Sequence, residues 1–123
     1  MIEHKHLIVK GQMKVELTAA DVYNLLNEMV DTLDMELMKG VPSNPNVGYE
    51  GGENPGVTGC ALITTSHIVL HTWNKDMCFQ FDAYSCKMFN PNEVMELLTK
   101  WGLDKTDNKF FDREYKIIED DAS

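Results

Sequence analysis

VTGCALITTSHIVLHTWNKDMCFQFDAYS, the segment from Val57 to Ser85, determines the fold. Its apolar runs predict three strands, over Val57–Thr64, His67–Trp73 and Met77–Ser85. Neighbouring strands with such short connections pair antiparallel. In the third strand apolar and polar side chains alternate, so one face belongs to a core and the other is of mixed polarity.

Two amphipathic helices flank this segment. The first follows an N-cap at Thr18, with an acidic residue at the third helical position, and carries an apolar stripe from Val22 to Leu33. The second follows an N-cap at Asn90, with proline at its first position, and ends before Gly102.

The remaining segments complete the predicted order. His6–Met13 reads as a strand, Met35–Val41 as a short strand, and residues 40–59, rich in glycine and proline, as a long irregular loop. Lys109–Ile118 is predicted to be the last strand, and the acidic residues 119–121 a solvated tail.

The order β-α-(β)-loop-β-β-β-α-β predicts a single α+β domain over residues 1–123. It is a two-layer sandwich in which a mainly antiparallel sheet carries both helices on one face. The other face of the sheet then needs cover, and a symmetric homodimer supplies it most simply.

Composition excludes several classes of protein. A formal charge of −9 argues against nucleic-acid binding and suits a cationic small molecule. No apolar run approaches the roughly 18 residues of a membrane span, and the polar residues 1–5 lack a secretory signal pattern. Cys60, Cys78 and Cys86 match no zinc spacing and cannot all pair, so we expect no metal, no structural disulfide and a cytoplasmic protein.

Candidate chemical groups concentrate at residues 64–73 and at Cys86. Ser66, His67, His71 and Cys86 are side chains that serve as nucleophiles, bases and proton donors. They are equally compatible with hydrogen-bonded strand histidines and a small buried thiol. A Gly-x-Ser-x-Gly elbow is absent around Ser66, which argues against a serine hydrolase.

The same residues resemble a known family. SHIVLHTW at Ser66–Trp73, followed by DAYSC at Asp82–Cys86, is similar to the signature of the prokaryotic-type S-adenosylmethionine decarboxylases. The resemblance extends to HLIV at His6–Val9 and GVTG at Gly56–Gly59. The spacing from serine to histidine to cysteine, 5 and then 15 residues, makes the match specific.

The resemblance implies a proenzyme that cleaves itself between Thr65 and Ser66, into fragments of 65 and 58 residues. The hydroxyl of Ser66 attacks the preceding carbonyl, and elimination from the resulting ester leaves a pyruvoyl cofactor at the new N-terminus. His71 matches the family's processing histidine, and Thr58 matches a hydroxyl residue that assists processing.

The resemblance also implies the catalytic cycle. A substrate amine forms a Schiff base with the pyruvoyl group, carbon dioxide leaves, and Cys86 matches the family's proton donor. The product serves polyamine biosynthesis. Asp82 also matches the family pattern, and family members are homodimers packed as α/β/β/α.

Several positions depart from the family. Thr65 replaces the usual glutamate before the cleaved serine, and Lys87 replaces a glycine. Lys75 replaces the glutamate that binds the substrate ribose, and Gly52 aligns with the aromatic residue that stacks on adenine. Tyr49 is the nearest replacement for that ring.

Three hypotheses therefore remain open. The first is decarboxylation of S-adenosylmethionine, as the resemblance implies. The second is decarboxylation of ornithine or arginine, with Glu50, Glu53 or Asp82 binding the distal cation; the departures favour it and predict weak activity on S-adenosylmethionine. The third is an uncleaved, non-catalytic binding or regulatory homologue, which only Thr65 favours.

Overall fold

A computed structural model describes residues 3–39 and 44–113. The elements in chain order are β1 (Lys5–Met13), α1 (Ala19–Thr32), β2 (Asn46–Glu50), β3 (Gly56–Ile63), β4 (Ser66–Trp73), β5 (Cys78–Ser85), α2 (Pro91–Lys100) and β6 (Leu103–Asp112). The three central strands and both helices lie where the sequence predicts them.

All six strands form one antiparallel sheet in the order β2-β3-β4-β5-β1-β6. Helix α1 packs on β2 and β3, and α2 packs beside β6. The predicted two-layer α+β sandwich is confirmed. Within the described ranges, neither helix is long and apolar enough to cross a bilayer.

Local sequence signals position both helices. The Thr18 hydroxyl accepts from the Asp21 N–H while the Asp21 carboxylate accepts from the Thr18 N–H, a complete capping box. The side chain of Asn90 accepts from the N–H of Asn92, and Gly102, with φ of +85°, ends α2 in the left-handed region.

Gly59 lets α1 approach the sheet closely. A Cβ atom at this position would lie 2.6 Å from Val22 and 2.8 Å from Leu26, both fully buried on α1. These distances are too short for a carbon contact, so glycine is required under this helix.

Three predictions about the periphery were wrong. Residues 40–59 are not one irregular loop, because Asn46–Glu50 forms β2. The predicted strand at Met35–Val41 is only an isolated bridge from Leu37 to Ile63, and its last two residues lie outside the described ranges. The last strand begins at Leu103, not at Lys109.

The errors at β2 and β6 share a physical cause. Strand β6 is exposed at every position after Leu103, and β2 is exposed at every position except half-buried Val47. Edge strands with little burial have no apolar alternation for a sequence pattern to show. Residues 114–118 of the predicted last strand and the acidic tail lie outside the described ranges.

The helices cover one face of the sheet, where Leu7, Ile68, Leu70, Phe79 and Phe81 form the buried core. The opposite face is called here the open face. Its central residues are His6, Ile8, Thr58, Leu62, His67, Val69, His71, Gln80, Asp82 and Tyr84. A cavity of about 550 Å³ lies on this face.

Candidate active site

The two-residue turn between β3 and β4 is strained at Thr65. Ile63 pairs with Ser66, so Thr64 and Thr65 form the whole connection. Thr65 has φ of +54°, in the left-handed region that disfavours β-branched residues. Such a conformation costs about 1–2 kcal/mol for a residue with a Cβ atom. The strain therefore lies next to the predicted Thr65–Ser66 cleavage bond.

Ser66 and Cys86 lie side by side at the same end of the sheet. Strands β4 and β5 pair in a register that sets His67 opposite Tyr84, which brings the start of β4 to the end of β5. The backbone N–H of Cys86 donates a 3.1 Å hydrogen bond to Ser66 Oγ. This bond leaves the serine proton free and fixes the hydroxyl oxygen beside the turn.

Hydroxyl groups surround the Cys86 thiol. Thr65 Oγ1 lies 2.9 Å from Cys86 Sγ and 2.7 Å from the carbonyl oxygen of Thr64. Hydrogen bonding from Thr65, and next from Ser66, holds the pKa of the Cys86 thiol below its usual value because it stabilises the thiolate. Burial instead raises the pKa of Cys60.

A cavity of about 400 Å³ opens beside this pair. Asp34, Glu36 and Lys87 line it together with Ser66 and Cys86. Lys87 Nζ donates to the backbone carbonyl of Asp34 at 3.3 Å, so the lysine that replaces a glycine reaches toward the end of α1. Ser66 and Cys86 are thus accessible to a small molecule.

Thr58 and His71 form a second group, on the open face. Thr58 Oγ1 lies 3.0 Å from His71 Nδ1, across the β3–β4 pair. His71 is five residues along β4 from Ser66, which corresponds to about 16 Å. Alternation along β4 also points the two side chains to opposite faces of the sheet. One chain therefore brings Ser66 to Cys86 but does not bring His71 to either.

The predicted substrate residues Tyr49, Glu53 and Lys75 are exposed at the far end of the sheet from Ser66. The turns after β2 and β4 meet there, joined by a 2.8 Å hydrogen bond from the Asn74 N–H to the Pro55 carbonyl. Tyr49 pairs with buried Val57 and therefore lies on the helix-covered side of the edge.

Asp82 is placed on the open face, where it contacts two histidines. Asp82 Oδ1 lies 2.8 Å from His6 Nε2 and 3.3 Å from His67 Nε2. No role for His6 follows from the sequence, because β1 is far from β5 along the chain. The two strands become neighbours only in the folded sheet, where the order is β5-β1-β6. The alternation of β5 did predict the polar face on which Asp82 lies.

Comparison with known proteins identifies the family. The family profile described as S-adenosylmethionine decarboxylase matches residues 11–114. The chain belongs to the S-adenosylmethionine decarboxylase family. It is 30% identical over 89 residues to the S-adenosylmethionine decarboxylase proenzyme of Archaeoglobus fulgidus, which covers 70% of this chain and 73% of that relative.

A further curated relative agrees with this S-adenosylmethionine decarboxylase assignment, and one solved structure shares the fold. The proenzyme of Clostridium botulinum strain Hall is 36% identical over 44 residues, covering 35% of this chain and 38% of the relative. The crystal structure of the adenosylmethionine decarboxylase from Aquifex aeolicus VF5 matches with a TM-score of 0.63 and 19% identity, over 99% of this chain and 98% of that one. The latter match shows a common fold.

The structure locates the departures from the S-adenosylmethionine decarboxylase pattern at two ends of the sheet. Thr65 and Lys87 lie beside Ser66 and Cys86. Gly52 and Lys75 lie in the exposed turns at the opposite end. The departures near the predicted cleavage bond are thus spatially separate from those at the positions predicted to contact a nucleoside.

Proposed function

We propose that this chain is a self-cleaving, pyruvoyl-dependent decarboxylase of a cationic α-amino acid. The observation that carries the proposal is the Ser66 hydroxyl, held by the Cys86 N–H at 3.1 Å beside a turn with Thr65 at φ of +54°. Family membership supports the same chemistry.

In the proposed cleavage, Ser66 Oγ attacks the carbonyl carbon of Thr65 and its proton passes to the departing nitrogen. An ester and a free amine replace the peptide bond. Removal of the Ser66 Cα proton then expels the Thr65 carboxylate. A proton then adds to the former Ser66 Cβ, which becomes a methyl group. Water replaces the nitrogen at the former Ser66 Cα as ammonia leaves, so the second fragment begins with a pyruvoyl group. The residues at the turn fit this reaction, since the hydroxyl and the carbonyl that it attacks belong to adjacent residues, and the carbonyl belongs to the residue with φ of +54°.

The pyruvoyl group supplies an electron-accepting carbonyl for the decarboxylation. Cys86, beside Ser66, is positioned to return a proton to the substrate carbon after carbon dioxide leaves.

A second copy of the chain supplies His71 in this proposal. The base that removes the Cα proton must reach Ser66, and the chain's own His71 is about 16 Å away along β4. The open face presents Thr58 and His71 together with apolar Leu62 and Val69, a surface suited to pairing in a symmetric homodimer. Each proposed site then combines Ser66 and Cys86 of one chain with Thr58 and His71 of the other. Because the Ser66 side chain points away from the open face, the partner's histidine has to reach Ser66 at the end of the sheet, beside the Thr64–Thr65 turn.

The same pairing supports a composite substrate site. Glu53 and Lys75 lie in the turns at the end of the sheet nearer His71, so we place them with His71 toward the partner's Ser66. Tyr49 lies at the same end but on the helix-covered side, so it would join them only from the edge of the sheet. S-adenosylmethionine is the substrate that the family supports. The second candidate is ornithine or arginine. It is favoured because Lys75 stands where the family has the glutamate that binds the ribose, and Gly52 where it has the aromatic residue that stacks on adenine. We place the reaction in the cytoplasm, where it would yield an amine for polyamine synthesis.

Intact-mass analysis combined with a decarboxylation assay tests the proposal. Wild-type protein is expected as fragments of 65 and 58 residues, the second carrying a pyruvoyl group. Ser66→Ala is expected to remain one chain, whereas Ser85→Ala, which removes the neighbouring strand-end hydroxyl, still cleaves. Wild-type protein that stays intact after long incubation would instead establish the non-catalytic homologue.

A further inference from the structure

The geometry points to a divalent transition-metal site formed by His6, His67 and Asp82 on the open face. One ligand comes from each of three adjacent strands, β4, β5 and β1. The donor atoms all lie within 4.8 Å of one another. Two imidazoles and one carboxylate are a common ligand set for Zn²⁺ and for Fe²⁺.

The donor distances fit a single bound ion. Ligands about 2.0–2.2 Å from a tetrahedral or octahedral metal lie roughly 2.8–3.6 Å from each other. Asp82 Oδ1 is 2.8 Å from His6 Nε2 and 3.3 Å from His67 Nε2. The ion would replace the protons that now join these atoms, with little movement of the side chains.

The surroundings hold the histidines in place. The His6 ring lies 5.2 Å from the ring of Phe111 and contacts Tyr84 edge-on, and the His67 ring lies 5.7 Å from Tyr84. The side chain of His6 is 14% exposed, whereas those of His67 and Asp82 are 36% and 38% exposed. The aromatic rings thus hold the histidines on one side. The exposed side of the cluster, at His67 and Asp82, leaves room for a further ligand from solvent or a partner chain.

The site is independent of cleavage, because none of its donor atoms takes part in the proposed chemistry at Ser66. His67 nevertheless follows Ser66 directly, so a bound ion would tie the first residues of the second fragment to β1. The inference can thus be tested in the uncleaved Ser66→Ala protein, where failure of the proposed function has no effect on the result.

Co²⁺ titration of the full-length, chelator-treated protein tests the site through its visible absorption. Ser66→Ala and wild-type protein are both expected to bind one Co²⁺ per chain, with a spectrum free of thiolate charge-transfer bands. His6→Gln and Asp82→Asn are expected to weaken binding by at least about tenfold. His4→Gln, a neighbouring histidine that contacts Tyr84 but lies outside the cluster, is the matched control and retains binding.

Thermal unfolding of each variant without metal shows whether it is folded, and Zn²⁺ is expected to raise the melting temperature only where the three ligands are intact. Absence of stoichiometric binding by the folded parent protein would overturn the site. Unchanged affinity in His6→Gln and Asp82→Asn would also overturn it, and would leave Asp82 as a hydrogen-bond acceptor for two histidines.

Discussion

The backbone N–H of Cys86 donates a hydrogen bond to the hydroxyl oxygen of Ser66 at 3.1 Å. This contact links the proposed precursor of the cofactor to the proposed proton donor before any cleavage takes place. Because the donor is a backbone group, its position depends on the pairing of β4 with β5 and not on a side-chain conformation. The two residues therefore stay adjacent in the folded chain.

Cleavage in trans can be tested by complementation. Ser66→Ala and His71→Ala chains are each expected to remain intact when made alone. Made together, the His71→Ala chain is expected to cleave, because its Ser66 meets the intact His71 of the Ser66→Ala partner. Mass spectrometry distinguishes the chains. If neither chain is cleaved in a preparation shown to contain mixed dimers, His71 acts on Ser66 of its own chain.

Removal of the Cys86 thiol is expected to separate maturation from turnover. Cys86→Ala keeps Ser66 and the backbone N–H, so it still cleaves, but decarboxylation falls by at least about 100-fold because proton return lacks its donor. Protonation at the wrong carbon would instead transfer the substrate's amino group to the cofactor and leave a transaminated enzyme. Cys60→Ala is the control and retains activity. A wild-type rate in Cys86→Ala would reduce Cys86 to a packing residue.

The cysteines are expected to differ in reactivity with pH. The thiolate reacts, so a lowered pKa moves alkylation of Cys86 to lower pH, and the raised pKa of Cys60 moves its alkylation to higher pH. Iodoacetamide labelling of Ser66→Ala protein, read by peptide mass spectrometry, measures both profiles; this variant loses the smaller contribution from Ser66 and keeps the larger one from Thr65. Thr65→Val removes the main hydrogen bond to Cys86, and its profile is expected to shift upward. Identical profiles for Cys60 and Cys86 would contradict this account.

Glycine at position 65 is expected to relieve the turn strain. In the Ser66→Ala background, Thr65→Gly should have a free energy of unfolding about 1 kcal/mol above that of Thr65→Ala, because both variants lose the Thr65 hydroxyl contacts but only glycine adopts a φ of +54° without steric cost. Chemical denaturation measures both variants, and a Thr65→Gly chain less stable than the Thr65→Ala chain would refute stored strain at Thr65.

Substrate preference is expected to depend on Gly52 and Lys75 in the exposed turns. Without an acceptor for ribose hydroxyls at Lys75 or a ring at Gly52, activity on S-adenosylmethionine should be weak, and ornithine or arginine should have the higher specificity constant. Lys75→Glu should raise whatever S-adenosylmethionine activity exists, whereas Lys105→Glu, the same charge change on exposed β6, should not. A clear wild-type preference for S-adenosylmethionine would show that another residue replaces both contacts.

Patterns in the sequence identified elements that are buried on one side. Strand β5 alternates because Phe79 and Phe81 enter the core, and both helices carry caps at Thr18 and Asn90. Strands β2 and β6 lie at the edges of the sheet, where solvent accepts almost any side chain, and their bounds were missed.

The site was predicted where its residues are close in the sequence or match a family motif. Ser66 and Cys86 do meet, as the family resemblance implied. The contact of His6 with Asp82 joins residues 76 apart, and it depends on β1 inserting between β5 and β6. No local sequence pattern predicts that strand order. The separation of His71 from Ser66 likewise became visible only in the structure.

The strand order determines what a break at Thr65–Ser66 does to the molecule. The break assigns β1, β2 and β3 to one fragment and β4, β5 and β6 to the other, yet in the sheet β1 lies between β5 and β6. The fragments are interleaved, and they share three strand-to-strand contacts, β3–β4, β5–β1 and β1–β6. Their separation would require all three ladders to open at once. A chain severed there would thus remain one body, in which the new terminus gains local freedom while the surrounding sheet stays closed.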